Sequence, residues 1–263
     1  MIECAVLGVG VHGPGIGNWP AARAIFVGEA TYARTDDAVA APGLLPPAER
    51  RRATPSTRIA LAAAQQALQQ AEVDAKDVPA VFGSDSGNPE IIHEICAMLA
   101  GGDHEISPTK FHNSVHNAAS GYYSIAVASH CAVSSICALD GTAAATLLEA
   151  AVQAGSEDTA VLTVCYDLPY PYPLSLARPT EDAWAIALVL APVNHPRAIA
   201  QLQLADVEPQ AAETTLPDPV LEAARRGNPA ARLLPLLHAL VQPRGTRLVL
   251  RQGSGRALEV RTR

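Results

Sequence analysis

The sequence predicts an α/β protein, a sheet with a buried layer of helices, followed by a small α+β tail. Three observations carry that reading. Short apolar runs suited to buried strands alternate with helical runs as far as residue 204, the pattern of stacked sheet and helix layers. One helical run, residues 142–154, is apolar nearly all round and has to lie between layers. The 263-residue chain is 49% hydrophobic yet 4% aromatic, so small aliphatic side chains must fill a tightly packed core.

The elements follow in order. Residues 2–8 (IECAVLG) form a first strand, and Gly8, Gly10, Gly13, Gly15 and Gly17 then force a long loop. Ser56 or Thr57 caps a helix running to about Glu72. Residues 78–84 form a second strand, and SGNPEIIHEICAMLAGG is a helix begun by Pro89 and closed by glycines. A loop precedes a helix starting near Asn117, and residues 132–138 form a third strand. Two more strands occupy 159–166 and 184–191, with another over 197–204. The texture changes near residue 206, giving two segments, 1–205 and 206–263. The second holds two short helices and a hairpin turned by Gly253–Gly255.

A net charge of −7 argues against nucleic-acid binding, which calls for basic patches. No stretch reaches the roughly 18 apolar residues of a membrane span. The start, MIECAVLGVG, lacks a basic segment before its apolar run and reads as a strand, not a signal peptide. Five scattered cysteines (4, 96, 131, 137 and 165) read as buried free thiols in a reducing cytoplasm.

Several motifs have plainer readings. GVGVHG (8–13) fits a dinucleotide fingerprint, but Pro14, Gly15 and Gly17 cannot open the required helix, so no cofactor is expected. GSDSG (83–87) carries Asp85 where a hydrolase elbow needs serine. His112 and His116 have i, i+4 spacing, but no third ligand of obvious spacing accompanies them, and no metal is expected. Arg50, Arg51 and Arg52 form a solvated patch able to dock an acidic partner.

The stretch SSICALDGTAAATLLEAA (134–151) is different, because a strand turning sharply into a helix can present a nucleophile. Asp140 stands at that corner and suits an N-cap. Cys137 lies three residues earlier, inside the expected strand, where it would be buried and out of reach of the helix dipole.

Taken in order, VLGVGVHGPGIGNW, LLPPAERRR before RIALAAAQQAL, VFGSDSG, ISPTKFHNSVHNAASGYYSIA, the 132–154 corner and TAVLTVCYD resemble the N-terminal half of a β-ketoacyl synthase. More closely, the set resembles the chain-length-factor-like proteins of aryl polyene and xanthomonadin-type pigment pathways. The resemblance covers residues 1–195. It implies a single thiolase-like half with a mixed sheet and buried helices. In that family a cysteine at the start of the buried helix takes the acyl group, and His or Lys groups promote decarboxylation. Counting forward from Asn117–Gly121 places the nucleophile on Asp140, and counting back from Gly155 places it near Ala138. Cys137 coincides with neither. Roughly 60 residues follow position 200, with one histidine, His238, and no HGTGT-like or NSFGFGG-like segment.

The resemblance therefore implies a catalytically degenerate subunit that pairs with an active ketosynthase, or with itself, and shapes an acyl pocket. An acyl carrier protein is a further partner. His112, His116, Asn117 and Tyr122 are expected at the pocket or interface, within an apolar surface around 117–145. Two alternatives stay open. One is an active condensing enzyme using Cys137, with His112, His116 or His130 as base; the other is a homodimeric binder of acyl or aromatic ligands.

Overall fold

The computed structural model of the chain describes residues 1–35, 43–102, 104–208, 210–243, 245–253 and 255–263. Its first strand, β1 (Ile2–His12), runs well past the expected end at residue 8. The glycines at 8 and 10 are strand residues, not the loop their number suggests. Helix α1 (Trp19–Phe26) follows, capped by Asn18, whose side chain accepts from the Ala21 amide. After α2 (Pro47–Arg52) comes the long α3 (Pro55–Ala71), and this helix explains the glycines. A methyl group on Gly8 would run into the Ala67 carbonyl, and one on Gly10 into the Ala63 carbonyl. The missing side chains let helix and strand touch backbone to backbone. The cap of α3 is Thr54, whose hydroxyl accepts from Thr57 N, so Ser56 and Thr57, expected as caps, lie two and three residues past it, inside the helix.

Strand β2 (Ala80–Gly83) leads to α4 (Pro89–Ala100), capped by Asn88. Where a loop was expected, Pro108 starts a short helix, α5 (Pro108–Ser114), before α6 (Ala118–Val127). His112 therefore rides on α5 while His116 lies beyond its end, and the two do not share one helix face. Strand β3 (Val133–Ile136) stops short of Cys137. A 3-10 turn at Leu139–Gly141 feeds α7 (Thr142–Ser156). Then come β4 (Val161–Asp167), the short α8 (Leu174–Ala177), β5 (Trp184–Ala191) and β6 (Ala200–Val207). The last segment gives α9 (Pro219–Gly227), α10 (Leu234–Ala239) and the hairpin β7 (Arg247–Gly253) and β8 (Arg256–Thr262).

These strands make one eight-stranded mixed sheet in the order β3-β2-β4-β5-β1-β6-β8-β7. β2 is parallel to both β3 and β4, whereas β5 is antiparallel to both β4 and β1. The C-terminal hairpin joins this sheet through β6. Strand β5 is buried along its whole length. Its even positions, Trp184, Ile186, Leu188 and Leu190, join the core on the α7 side. Its odd positions, Ala185, Ala187, Val189 and Ala191, face α3 with smaller side chains, as the close helix requires. A methyl on Gly13 would strike the Trp184 ring. Beyond the reach of β6, the amides of Val9 and Val11 donate to the side chains of Gln70 and Gln66 on α3. At the far end of the sheet, Thr214 bonds Val249 of β7 twice: its amide donates to the Val249 carbonyl and its hydroxyl accepts from the Val249 amide.

All five cysteines are free, but they are not all buried: Cys4 and Cys165 are, Cys131 is half-buried, and Cys96 and Cys137 are exposed. Among the described residues no helix is long and apolar enough to cross a membrane. Nor do three or more His, Cys, Asp or Glu residues gather where they could hold a metal ion.

Candidate functional site at the strand-to-helix elbow

The parallel strands β2 and β4 end beside the corner between β3 and α7, and the polar side chains gather there. The corner is tight. Leu139 has φ 51°, in the left-handed region that leucine avoids. Thr142 bolts the turn: its hydroxyl donates to the Leu139 carbonyl (2.7 Å) and accepts from the Ala138 amide (2.9 Å). Gly141 has no room for a side chain, because the backbone at Gln252 and Gly253 at the tip of β7 presses against it. This is the strained strand-to-helix geometry in which a nucleophile is presented, and the residue at its strained position is Leu139. It lies between Ala138 and Asp140, the two positions that the counts give for a nucleophile.

Asp140 is not the helix cap expected of it. The residue before α7 is Gly141, with no side-chain cap bond, and the Asp140 carboxylate turns away to two arginines. It accepts from Arg178 at 2.8 Å and meets Arg232 at 3.4 Å. Partial burial by itself raises the Asp140 carboxyl, but the Arg178 hydrogen bond and the Arg232 and Arg178 charges hold it below the usual carboxylate range. Cys137 differs from its expected place too: it is exposed and outside the strand. Its thiol donates to the Asp85 carbonyl (3.2 Å), and among the described residues no imidazole is bonded to it.

Behind the corner lies a buried carboxyl pair. Asp167, at the end of β4, accepts at Oδ1 from the Ser84 hydroxyl (2.9 Å) and the Asp85 amide (2.8 Å). Burial pushes its carboxyl up to about 8 against those two hydrogen bonds, helped by the nearby Asp85 charge. Asp85 is held by Arg178 Nε (2.9 Å) and the Tyr170 hydroxyl (3.2 Å), with its side chain 1% exposed. Burial works against the charged Arg178, yet its bonds to Asp140 and Asp85 raise its pKa well above the usual arginine range. The GSDSG turn thus supplies a salt-bridged acid and, through Ser84, the bonds to Ser86 N and Gly87 N that close the loop before α4.

These contacts continue as an alternating ion chain. Asp85, Arg178, Asp140 and Arg232 are followed by Glu213, Arg225 and Glu222, the last three links at 3.4, 2.8 and 2.7 Å. It ties the end of β2 to the elbow and the elbow to α9.

The remaining expected residues divide. His112 meets Tyr122 edge to face at 5.8 Å, and with Glu49, Arg52, Pro108 and Ile125 the pair lines an open cavity of about 450 Å³. Tyr122 is buried, and burial raises its phenol. His116 belongs to the other group: its Nε2 bonds the Ser84 carbonyl at 2.8 Å. Asn117 is exposed and engages Ser120 and Gly121 through its backbone carbonyl. Leu139, Asp167, Arg178 and Arg232 were not singled out from the sequence. No local pattern marks them, since each matters through partners distant in sequence or through a backbone angle.

Residues 27–253 match the family model described as beta-ketoacyl synthase, N-terminal domain. No curated protein sequence matches the chain. Among solved structures it is similar to a chain of the ketosynthase (ApeO) in complex with its chain length factor (ApeC) from Xenorhabdus doucetiae. The TM-score there is 0.75 at 20% identity, over 99% of this chain and 100% of that one. It is also similar to the ishigamide ketosynthase/chain length factor, with a TM-score of 0.72 at 13% identity, over 100% of this chain and 99% of that one. A beta-ketoacyl synthase from Burkholderia phymatum STM815 aligns with a TM-score of 0.63 at 15% identity, over 88% of this chain and 71% of that one. Identities this low establish the fold, which is the thiolase-like mixed sheet with buried helices.

Proposed function

Because the chain belongs to the β-ketoacyl synthase family, in its N-terminal domain, we propose that it is a subunit without a condensing nucleophile of its own. On this reading it pairs with an active ketosynthase and shapes the acyl pocket, the role of a chain-length factor in polyketide or fatty-acid-like synthesis of the aryl polyene kind. The observation that carries the proposal is Leu139 at the strained elbow position. An alkyl side chain has no lone pair to attack a thioester, and the neighbouring Asp140 is a carboxylate committed to two arginines. A carboxylate there would also repel the negative charge that develops on a decarboxylating unit.

The partner surface is assigned to the side of the sheet that ends in β3. Among the described residues that strand pairs with β2 alone, and exposed apolar residues lie on and before the α6 that packs against it, Phe111 and Val115 before α6 and Ile125 within it. Copurification with acyl carrier protein is expected through the ketosynthase.

Two measurements test the proposal together. Co-expression with an aryl-polyene-type ketosynthase is expected to give a stoichiometric complex. Incubation with an acyl thioester, followed by peptide mass spectrometry, is expected to leave Cys137 unmodified. Stable acylation of that exposed thiol would instead support a condensing enzyme. A homodimer that ignores the ketosynthase would support a self-contained ligand-binding protein.

A further inference from the structure

Two properties that disfavour each other meet at Leu139. Its backbone is left-handed, at φ 51°, where glycine or asparagine is at ease and leucine is not. Its side chain is also 64% exposed. A free surface position gains nothing from a leucine in this state, since glycine or asparagine would relieve the backbone and remove apolar surface at once. The surroundings nevertheless fix it firmly. Thr142 bonds both flanking backbone groups, two arginines hold Asp140, and the β7 tip abuts Gly141. A strained residue over-determined by its surroundings points to a use for what it presents.

What it presents is a bare aliphatic side chain, and it has company. Tyr172 (73% exposed) and Leu176 (74%) stand on the Pro-rich segment whose Arg178 grips the neighbouring Asp140. Phe111 (64%) and Ile125 (54%) stand on α5 and α6, and α6 packs against β3. Solvent-facing apolar residues near an edge strand and its elbow fit a protein partner.

We infer that Leu139 is the anchor of the subunit interface, a side chain that the elbow pushes into an apolar pocket of the ketosynthase partner. The inference rests on the pairing proposed above and names the residue that carries it. The elbow on this view keeps its strained shape for recognition, with packing replacing chemistry at its tip.

The test sets the free subunit against the complex. Leu139→Gly and Leu139→Asn are compared with the wild-type chain by thermal melting alone and by titration with the ketosynthase recovered in the copurification experiment. Relief of the left-handed leucine is expected to raise the melting temperature by about 2–4 °C. Loss of a central apolar anchor is expected to weaken the complex at least about tenfold, and Leu139→Met is expected to retain most of the affinity. Unchanged binding by the glycine and asparagine variants overturns the inference and leaves the pairing standing. Weaker binding with a lower melting temperature also overturns it, since that marks a structural role. A wild-type chain that recruits no ketosynthase overturns the pairing and the anchor together. Loss of self-association with ketosynthase binding intact overturns the anchor alone.

Discussion

Asp167 shows how burial sets the behaviour of a single group. Its carboxyl is raised to about 8 by desolvation, whereas an unfolded aspartate titrates near pH 4. The folded chain therefore holds a proton that the unfolded chain releases over this interval. The stability this contributes is complete below about pH 4 and is lost as pH rises through about 8. Asp167→Asn keeps an acceptor for Ser84 and the Asp85 amide and removes the titration. Unfolding free energies from urea denaturation at pH 5 and pH 8 should differ less in the variant, by on the order of 1 kcal/mol or more, and the variant should be the more stable at pH 8. A variant whose pH dependence matches the wild type would sink this account. Residues of this kind were the least legible in the sequence. Cys137 drew attention for its chemistry, but strand β3 ends one residue before it and leaves it exposed. Asp140 has the right residue type for a cap, but arginines 38 and 92 positions away claim its carboxylate. Propensity describes what a side chain can do locally and carries no information about distant partners.

The elements themselves were far more readable. Strand β5 was expected at 184–191, where it lies, and the all-apolar run at 142–154 is α7, buried on the face it turns to the sheet. Long apolar runs carry their own signal. The glycine-rich start misled because glycine marks loops and close packing alike, and packing won here. Gly10 measures that choice. Gly10→Ala places a methyl group against the Ala63 carbonyl on α3 and should cost about 1–3 kcal/mol as overpacking of a rigid contact. Gly17, with nothing within 4 Å of an added methyl, is the control, and Gly17→Ala should stay within about 0.5 kcal/mol of wild type. Equal midpoints for both variants in denaturant would refute the helix–strand contact. The short α5 escaped notice for the opposite reason: seven residues are too few to show a period.

Across the whole molecule, the ion chain joins segments that the sequence keeps far apart, from Asp85 to Arg225. Its buried member makes it testable. Arg178→Met leaves the Asp85 carboxylate, 1% exposed, facing Tyr170 alone and should destabilise by roughly 2–4 kcal/mol, less than a fully buried pair because Arg178 keeps some water. Adding Asp85→Asn should restore most of the loss in a double-mutant cycle; an additive pair would show that the two residues are not coupled. The same view shows why the tail resisted reading. A texture change near residue 206 suggested an appendage, whereas hairpin pairing with β6 is a long-range contact that no local pattern announces. The hairpin also settles how the sheet can grow. At its outer strand β7, Thr214 already occupies Val249, and the part of β1 beyond β6 is sealed by Gln66 and Gln70. With one terminus of the sheet blunted, the pairing proposed at β3 would join two molecules and then have nowhere to continue. On that proposal the blunt strand would make assembly self-limiting, favouring a closed pair over an open filament.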